Sequence, residues 1–271
     1  MKKAVKLLAL CLTLAMLVCC LGACGSKPDS STPDSSDTSG DKTTTVKTVK
    51  DGKLVMGTNA YFPPFEMIEN GEVVGVDAEM MAEVAKRLNL ELEISDMEFE
   101  SLPEALSTGS IDLIAAGFTV KPDREETMDF TDGYYTACQT IIVKADSTVQ
   151  SVDDIKDKGM KIGAQAGTTG SFEAEELTEA ENILTYASGA LAVEALLNGS
   201  IDLVIIDNNP AQQYAEEKSG ELRLIEKQFE DESYAVAVKK GNSELLKAVN
   251  DAIDAMKKDG TFQKIVDKYI K

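Results

Sequence analysis

Two segments that follow predicted strands carry side chains able to hold a small zwitterion. Arg124 comes shortly after the apolar run 111–116, and Asp207 comes directly after the apolar run 201–206. An arginine guanidinium binds a carboxylate through two parallel hydrogen bonds, whereas an aspartate accepts hydrogen bonds from an ammonium group. If the two strand ends face each other, these residues form a clamp for both charges. Alternatively, Arg124 pairs with Glu125 on a solvated turn and Asp207 caps the helix that follows it.

The turn 165–171 is a second candidate for binding an anion. Its sequence, Gln-Ala-Gly-Thr-Thr-Gly-Ser, lies between a predicted strand and an acidic predicted helix. Helix N-termini present free backbone amides to anions. The turn lacks the lysine and the spacing of a phosphate-binding loop, which disfavours nucleotide binding. A plain helix cap is the alternative.

Two phenylalanines could supply apolar walls for such a ligand. Phe62 lies in the segment 59–65, Asn-Ala-Tyr-Phe-Pro-Pro-Phe, whose prolines impose an extended path after the predicted strand 54–57. Phe99 is the second candidate. Aromatic faces pack well against alkyl groups, although burial in the core is the usual position of a phenylalanine.

Composition excludes several classes of chemistry. The chain contains no histidine, so Cys138, the only cysteine after residue 24, has no imidazole to activate it and is interpreted as a packing residue. A transition-metal site would need carboxylates alone, and we therefore expect neither a metal nor a cofactor. The net charge of −20 disfavours nucleic acid as a partner.

The N-terminal region has the layout of a secretory signal over residues 1–23. Three lysines precede an apolar run that is short for a membrane span, and small residues follow it. The stretch Leu-Gly-Ala-Cys at 21–24 resembles a bacterial lipobox, which predicts cleavage before Cys24 and its lipidation. An ordinary cleaved signal is the alternative. Residues 24–50 are mostly Ser, Thr, Asp, Lys and Pro, and this composition predicts a disordered tether.

The elements that must position the clamp alternate between strands and helices. Short apolar runs predict buried strands, and apolar residues at helical spacing predict helices. The predicted strands are 54–57, 111–116, 161–164 and 201–206, and the predicted helices are 77–88, 190–197 and 244–256. This order favours an α/β fold with mainly parallel sheets.

An internal repeat predicts two similarly built halves. The segment 104–114, EALSTGSIDLI, recurs as EALLNGSIDLV at 194–204 and differs at only three positions. Each copy reads as a helix, a glycine stop and a buried strand. Because ligands of open α/β sheets bind beyond the carboxyl ends of the strands, two facing lobes would form a cleft. Chance similarity between two common helix–strand units is the alternative.

Several motifs in this order resemble the polar amino-acid-binding proteins of ABC importers, a family that includes histidine- and glutamine-binding proteins. The resemblance extends from about residue 53 to about residue 269. The motifs are GTNAYFPPF (57–65), VGVD (74–77), MEF (97–99), AGFT (116–119), Arg124, DFTDGYY (129–135) and GTT (167–169).

The resemblance implies a periplasmic-binding-protein-like α/β fold with two lobes, two crossover segments and a ligand cleft between the lobes. Lobe 1 would be discontinuous, comprising residues 51–137 and 232–271, and lobe 2 would comprise residues 138–231. The crossover segments are expected near 135–140 and 230–234.

The resemblance also assigns roles to the charged end of the cleft. Arg124 would bind the α-carboxylate of the ligand, helped by the hydroxyl and amide of Thr119 and by the amide of Thr169. Asp207 would hold the α-ammonium together with the carbonyl of Gly117 and with Thr119. Ala116 and Thr168 are further predicted ligand-binding residues.

The ligand side chain would lie between Phe62 and Phe99. Its end would be contacted by Asn59, Asp77 and Gln165. Asn59 stands where relatives that bind basic amino acids often have an acid, which favours a neutral polar ligand. Asp77 keeps a basic ligand possible or is structural, and the residue at Gln165 varies with specificity.

The resemblance therefore implies an extracytoplasmic solute-binding lipoprotein, anchored through Cys24 to the outer face of the cell membrane. It would capture a free polar amino acid as a monomer and deliver it to the permease subunits of an ABC importer, without catalysis. Two alternatives use the same fold: an enzyme of the cyclohexadienyl dehydratase type, and a ligand-sensing module.

Overall fold

The structure, a computed structural model, describes residues 46–225 and 228–270. The predicted signal, Cys24 and most of the predicted tether lie outside the described residues. The first described residues already belong to the folded body, because Val46 is buried and the amide of Val49 donates to the Asp112 carboxylate. Within the described ranges, no helix is long and apolar enough to cross a membrane.

Strands and helices alternate along the chain. The strands are β1 Lys53–Thr58, β2 Tyr61–Phe62, β3 Glu66–Glu69, β4 Glu72–Val74, β5 Glu91–Asp96, β6 Leu113–Ile114, β7 Met128–Phe130, β8 Tyr135–Lys144, β9 Ile162–Gln165, β10 Ile183–Tyr186, β11 Leu203–Asp207, β12 Leu222–Ile225, β13 Asp231–Tyr234 and β14 Ala237–Lys239. The helices are α1 Val76–Arg87, α2 Leu102–Thr108, α3 Pro122–Glu125, α4 Thr169–Glu175, α5 Gly189–Asn198, α6 Asn208–Glu217, α7 Ser243–Asp259 and α8 Thr261–Tyr269. Short 3-10 helices span Phe99–Ser101, Val152–Asp154 and Ala180–Asn182.

Two sheets form the cores of two lobes, which confirms the predicted fold. The first sheet has the strand order β5-β1-β6-β14-β7, and the second has the order β10-β9-β11-β8-β12. The strands β1, β5 and β6 run parallel, as do β9, β10 and β11. In contrast, β8 and β14 run antiparallel to their neighbours, because both strands enter their sheets directly from a crossover segment. A small third sheet joins β2, β3 and β4.

The sequence repeat corresponds to one helix–strand unit in each sheet. Helices α2 and α5 end at left-handed glycines, Gly109 and Gly199, and the chain then enters β6 and β11. The repeated aspartate has the same role in both copies. The carboxylate of Asp112 accepts from the Val55 amide at 2.7 Å, and that of Asp202 accepts from the Lys161 amide at 2.8 Å. Each aspartate thus fixes the central strand of its sheet to a neighbour.

Two adjacent crossover segments connect the lobes. Strand β13 pairs antiparallel with the first half of β8, with Tyr234 opposite Tyr135 and Glu232 opposite Ala137. The rings of Tyr135 and Tyr234 both pack against Phe65, with centroid separations of 5.0 and 5.1 Å. The carboxyl ends of β1, β6, β9 and β11 lie close together, next to the paired strands β8 and β13.

Candidate functional site

A small cavity lies where these strands end. It brings together every predicted ligand-binding residue except Asp77, although contact with a ligand stays a prediction. The lining residues are Asn59, Phe62, Phe99, Ala116, Gly117, Thr119, Arg124, Gln165, Thr168, Thr169 and Asp207. Among residues 46–225 and 228–270, no group of three or more His, Cys, Asp or Glu side chains could hold a metal ion.

Arg124 is a buried cation held by neutral groups. It lies in the short helix α3, is 8% exposed, and donates to the carbonyls of Thr119 at 2.8 Å and Gly167 at 3.0 Å. Its guanidinium carbon lies 4.1 Å from the ring centroid of Phe118. Burial lowers the pKa of Arg124 to about 10, so the side chain remains charged at neutral pH. No carboxylate of a described residue, including Glu125, lies within ion-pair distance of Arg124, although the charges of Asp123, Glu232 and Asp207 favour its charged form. A buried charge without a partner is costly, and a bound anion would remove that cost.

Asp207 supplies the opposite charge from the second sheet. It is the last residue of β11 and is 5% exposed. It occupies the N-cap position of α6, but its side chain makes no capping hydrogen bond and instead accepts from the Tyr234 hydroxyl. Burial, together with the nearby negative charge of Glu232, raises the pKa of Asp207 to about 7. A cationic ligand group would favour its charged form.

The turn 165–171 both caps a helix and reaches across the cleft. The Thr168 hydroxyl accepts from the Ser171 amide at the start of α4, as a plain cap would. Gly167 in the same turn offers its carbonyl to Arg124 of the first lobe. Gln165 also bridges the lobes, because its amide nitrogen donates to the Asn59 side-chain oxygen at 2.8 Å. The two lobes are therefore in direct contact around the cavity.

Gly117 occupies a position that only glycine fits. Its φ angle is +53°, and a Cβ atom there would lie 2.7 Å from the Phe62 ring. Its amide donates to the Asp77 carboxylate at 2.8 Å. This hydrogen bond and the close aromatic contact fix the loop that carries the Gly117 carbonyl.

Asp77 lies behind this loop, outside the cavity lining. It is fully buried and also accepts from the Tyr134 hydroxyl at 2.7 Å. Burial raises the pKa of Asp77 to about 6, and burial together with Asp77 raises the pKa of the adjacent, fully buried Glu66 well above its usual range. A protonated Glu66 can donate to Asp77, which keeps Asp77 ionised beneath Gly117. The position of Asp77 agrees with the structural alternative stated for it above.

Replacing Gly117 with alanine is expected to weaken ligand binding at least tenfold, because the Cβ atom must displace Phe62 and strain the backbone. Gly109→Ala is a matched control, since Gly109 also has a positive φ angle but no atom lies near its would-be Cβ. Calorimetric titration of both variants with an amino acid would measure the effect. Equal losses would indicate general backbone strain instead of a local role for Gly117.

Four residues that surround the charged groups are not among the predicted site residues: Phe118, Gln139, Glu232 and Tyr234. Glu232 and Tyr234 both lie in β13, where they are two positions apart and therefore face the same side. Alternation along the crossover predicted over 230–234 places these two side chains on one face, but it does not show which groups they contact.

Comparison with known proteins gives consistent matches along the chain. A family model described as bacterial extracellular solute-binding proteins, family 3, matches residues 54–271. The arginine-binding extracellular protein ArtP of Bacillus subtilis is 33% identical over 267 residues, which cover 97% of this chain and 95% of ArtP. The ABC transporter glutamine-binding protein GlnH of the same species is 32% identical over 272 residues, with 98% and 97% covered.

Solved structures agree with these matches. An ancestral arginine-binding protein bound to glutamine is 36% identical in sequence and has a TM-score of 0.77. The alignment covers 82% of this chain and 99% of that protein.

Proposed function

Because the chain belongs to family 3 of the bacterial extracellular solute-binding proteins, we propose that it captures a free amino acid outside the cytoplasm and delivers it to an ABC importer. The relatives described as arginine-binding and glutamine-binding support an amino acid as the ligand. We further propose that it binds its ligand without catalysis.

The buried and unpaired Arg124 is the observation that carries this proposal. A free α-amino acid brings a carboxylate for Arg124 and an ammonium group for Asp207, so both buried charges gain a partner in one event.

We propose a neutral polar side chain for the ligand. Asn59 and Gln165 line the cavity with uncharged amides, and Asp77 lies behind the Gly117 loop. A guanidinium or ammonium group at the end of the ligand would thus meet amides instead of a carboxylate. The similar ancestral arginine-binding protein is solved both with glutamine and with arginine, so the neutral side chain is proposed from the cavity lining alone.

A panel of the common L-amino acids, screened by thermal shift and calorimetry, tests the proposal. At least one should raise the melting temperature, and its decarboxylated amine should bind much more weakly because it leaves Arg124 unpaired. A panel without any binder would contradict amino-acid capture. Incubation with prephenate and arogenate is the matching test for catalysis, and no product is expected.

We also propose that Cys24 carries the lipid anchor. Cys24→Ser should convert a membrane-associated protein into one that is secreted or uncleaved, since acyl chains on the cysteine hold the protein at the bilayer. Cell fractionation with detection of the precursor would measure this. A cleaved variant that stays in the membrane fraction would contradict the anchor.

A further inference from the structure

Glu232 is a carboxylate that joins both lobes at the cavity. It lies in β13, and its Oε2 atom accepts from the Thr119 hydroxyl at 3.0 Å and the Thr169 hydroxyl at 2.9 Å. The Gln139 side-chain amide donates to the same oxygen at 3.2 Å. Thr119 belongs to the first lobe and Thr169 to the second, so this set of hydrogen bonds joins the two lobes.

The direction of these hydrogen bonds is fixed by chemistry. A carboxylate can only accept, and a threonine hydroxyl has one hydrogen to donate. Thr119 and Thr169 therefore both donate their hydroxyl hydrogens to Glu232. Each hydroxyl can then only accept a hydrogen bond from a ligand, and the Thr169 hydroxyl already accepts one from the Gln139 side-chain amide at 2.9 Å.

We propose that Glu232 is a positioning residue that makes the Thr119 and Thr169 hydroxyls acceptors and so orients the ligand. With the Asp207 carboxylate, they form an end of the cavity that attracts an ammonium group and repels a carboxylate. The ligand can then enter in only one orientation, with its carboxylate toward Arg124. This inference rests on the proposed function, because it assumes an amino acid as ligand.

The Thr119 hydroxyl would then contact only the ammonium end of the ligand. The family resemblance implied that this hydroxyl assists in binding both the carboxylate and the ammonium group. A hydroxyl whose hydrogen points at Glu232 cannot donate to the ligand carboxylate. Only the Thr119 amide remains for that purpose.

The test compares Glu232→Ala with Glu232→Gln. Glutamine keeps an oxygen that accepts from both hydroxyls, whereas alanine frees the hydroxyls to rotate. Glu230→Gln is the control, because Glu230 is exposed in the segment leading to the same strand. The probes are L-glutamine, L-arginine and L-histidine, each paired with its analogue without the α-ammonium: glutaramic acid, 5-guanidinovaleric acid and imidazolepropionic acid.

Calorimetry should show that Glu232→Ala weakens binding of the amino acid about tenfold or more and changes binding of the deamino analogue less than threefold. Glu232→Gln should stay within about threefold of the wild-type affinity for both, and Glu230→Gln should match the wild type. Thr119→Val should reproduce the selective loss, which provides a second route if Glu232→Ala folds poorly.

Two results would overturn the inference while the wild type still binds. Equal losses for the amino acid and its analogue would mean that Glu232 only holds the two lobes together. If Glu232→Gln loses as much affinity as Glu232→Ala, the negative charge of Glu232 is what favours binding, and the direction of the two hydroxyls is not. If the wild-type protein binds none of these three amino acids, amino-acid capture itself fails for these probes and the orientation inference fails with it.

Discussion

Replacing Arg124 with alanine is expected to reduce the affinity for the amino acid by about 2 to 5 kcal/mol. The ligand carboxylate would enter a cavity lined by buried residues and would find no cation to pair with. Lysine at this position should restore only part of the affinity, because an ammonium group cannot reproduce the two parallel hydrogen bonds of a guanidinium. Calorimetric titration of the three proteins gives the comparison.

Folding and binding effects of this substitution can be separated. Arg124 has no ion-pair partner among the described residues, so its removal relieves a buried charge while losing two hydrogen bonds to carbonyls. The ligand-free melting temperature should therefore change little.

Arg87→Ala is the matched control for the loss of one arginine. Arg87 pairs with Glu83 and Asp259 at the surface, away from the cavity. The decarboxylated amine of the ligand is a second control, because it should bind Arg124→Ala no more weakly than it binds the wild type. Near-normal affinity of Arg124→Ala for the amino acid would rule out the carboxylate role of Arg124.

The site could be predicted from the strand ends, because the residues that follow parallel strands all lie at the same edge of the sheet. Arg124 and Asp207 follow the two strands of the repeat, and repeated units place their strand ends equivalently in the two sheets. The helix–glycine–strand pattern was sufficient to predict the lobes. The predicted run 111–116 forms a regular strand only over Leu113–Ile114, because both of its neighbours, β1 and β14, pair with these two residues alone.

Two features of the site could not be predicted from local sequence. Whether Asp77 faces the ligand or supports Gly117 depends on the loop after β6, which turns the Gly117 amide back onto the Asp77 carboxylate. The role of Glu232 depends on hydroxyls from both lobes, which meet only in the folded protein. Both features arise from hydrogen bonds between segments far apart in the chain, and no local pattern encodes them.

The affinity of the protein for an amino acid is expected to fall as the pH falls below about 7. Asp207 has a pKa of about 7 in the ligand-free protein, because burial and the negative charge of Glu232 favour its protonated form. An ammonium group beside Asp207 favours the ionised form and lowers this pKa. Binding below pH 7 must therefore release a proton, and the affinity should fall by up to roughly tenfold per pH unit.

The stability of the ligand-free protein should change in the opposite direction. The folded-state pKa of Asp207 lies above the usual value of 3.8, so its contribution to stability is full below about pH 4 and is lost as the pH rises through about 7. Asp207→Asn should thus raise the ligand-free melting temperature at pH 8, where the wild type buries a negative charge. The same substitution should weaken binding about tenfold or more at that pH.

Proton release can be measured directly by calorimetry in two buffers of different ionisation enthalpy. With L-glutamine or L-arginine as the probe, the ligand remains zwitterionic at its α-groups and its side chain does not titrate between pH 5.5 and pH 8. The wild type should release close to one proton per ligand at pH 6 and almost none at pH 8, and Asp207→Asn should release almost none at either pH.

The groups around Asp207 determine how this experiment is interpreted. The Tyr234 hydroxyl and the Gln139 amide favour its charged form, Glu232 opposes it, and Arg124 lies across the cavity. Asp77, with a pKa of about 6, also titrates in this range but contacts Gly117 and Tyr134 instead of the cavity. Proton release that persists in Asp207→Asn would assign the titration to the buried pair of Asp77 and Glu66, and Asp207 could no longer be regarded as the group that receives the ligand ammonium.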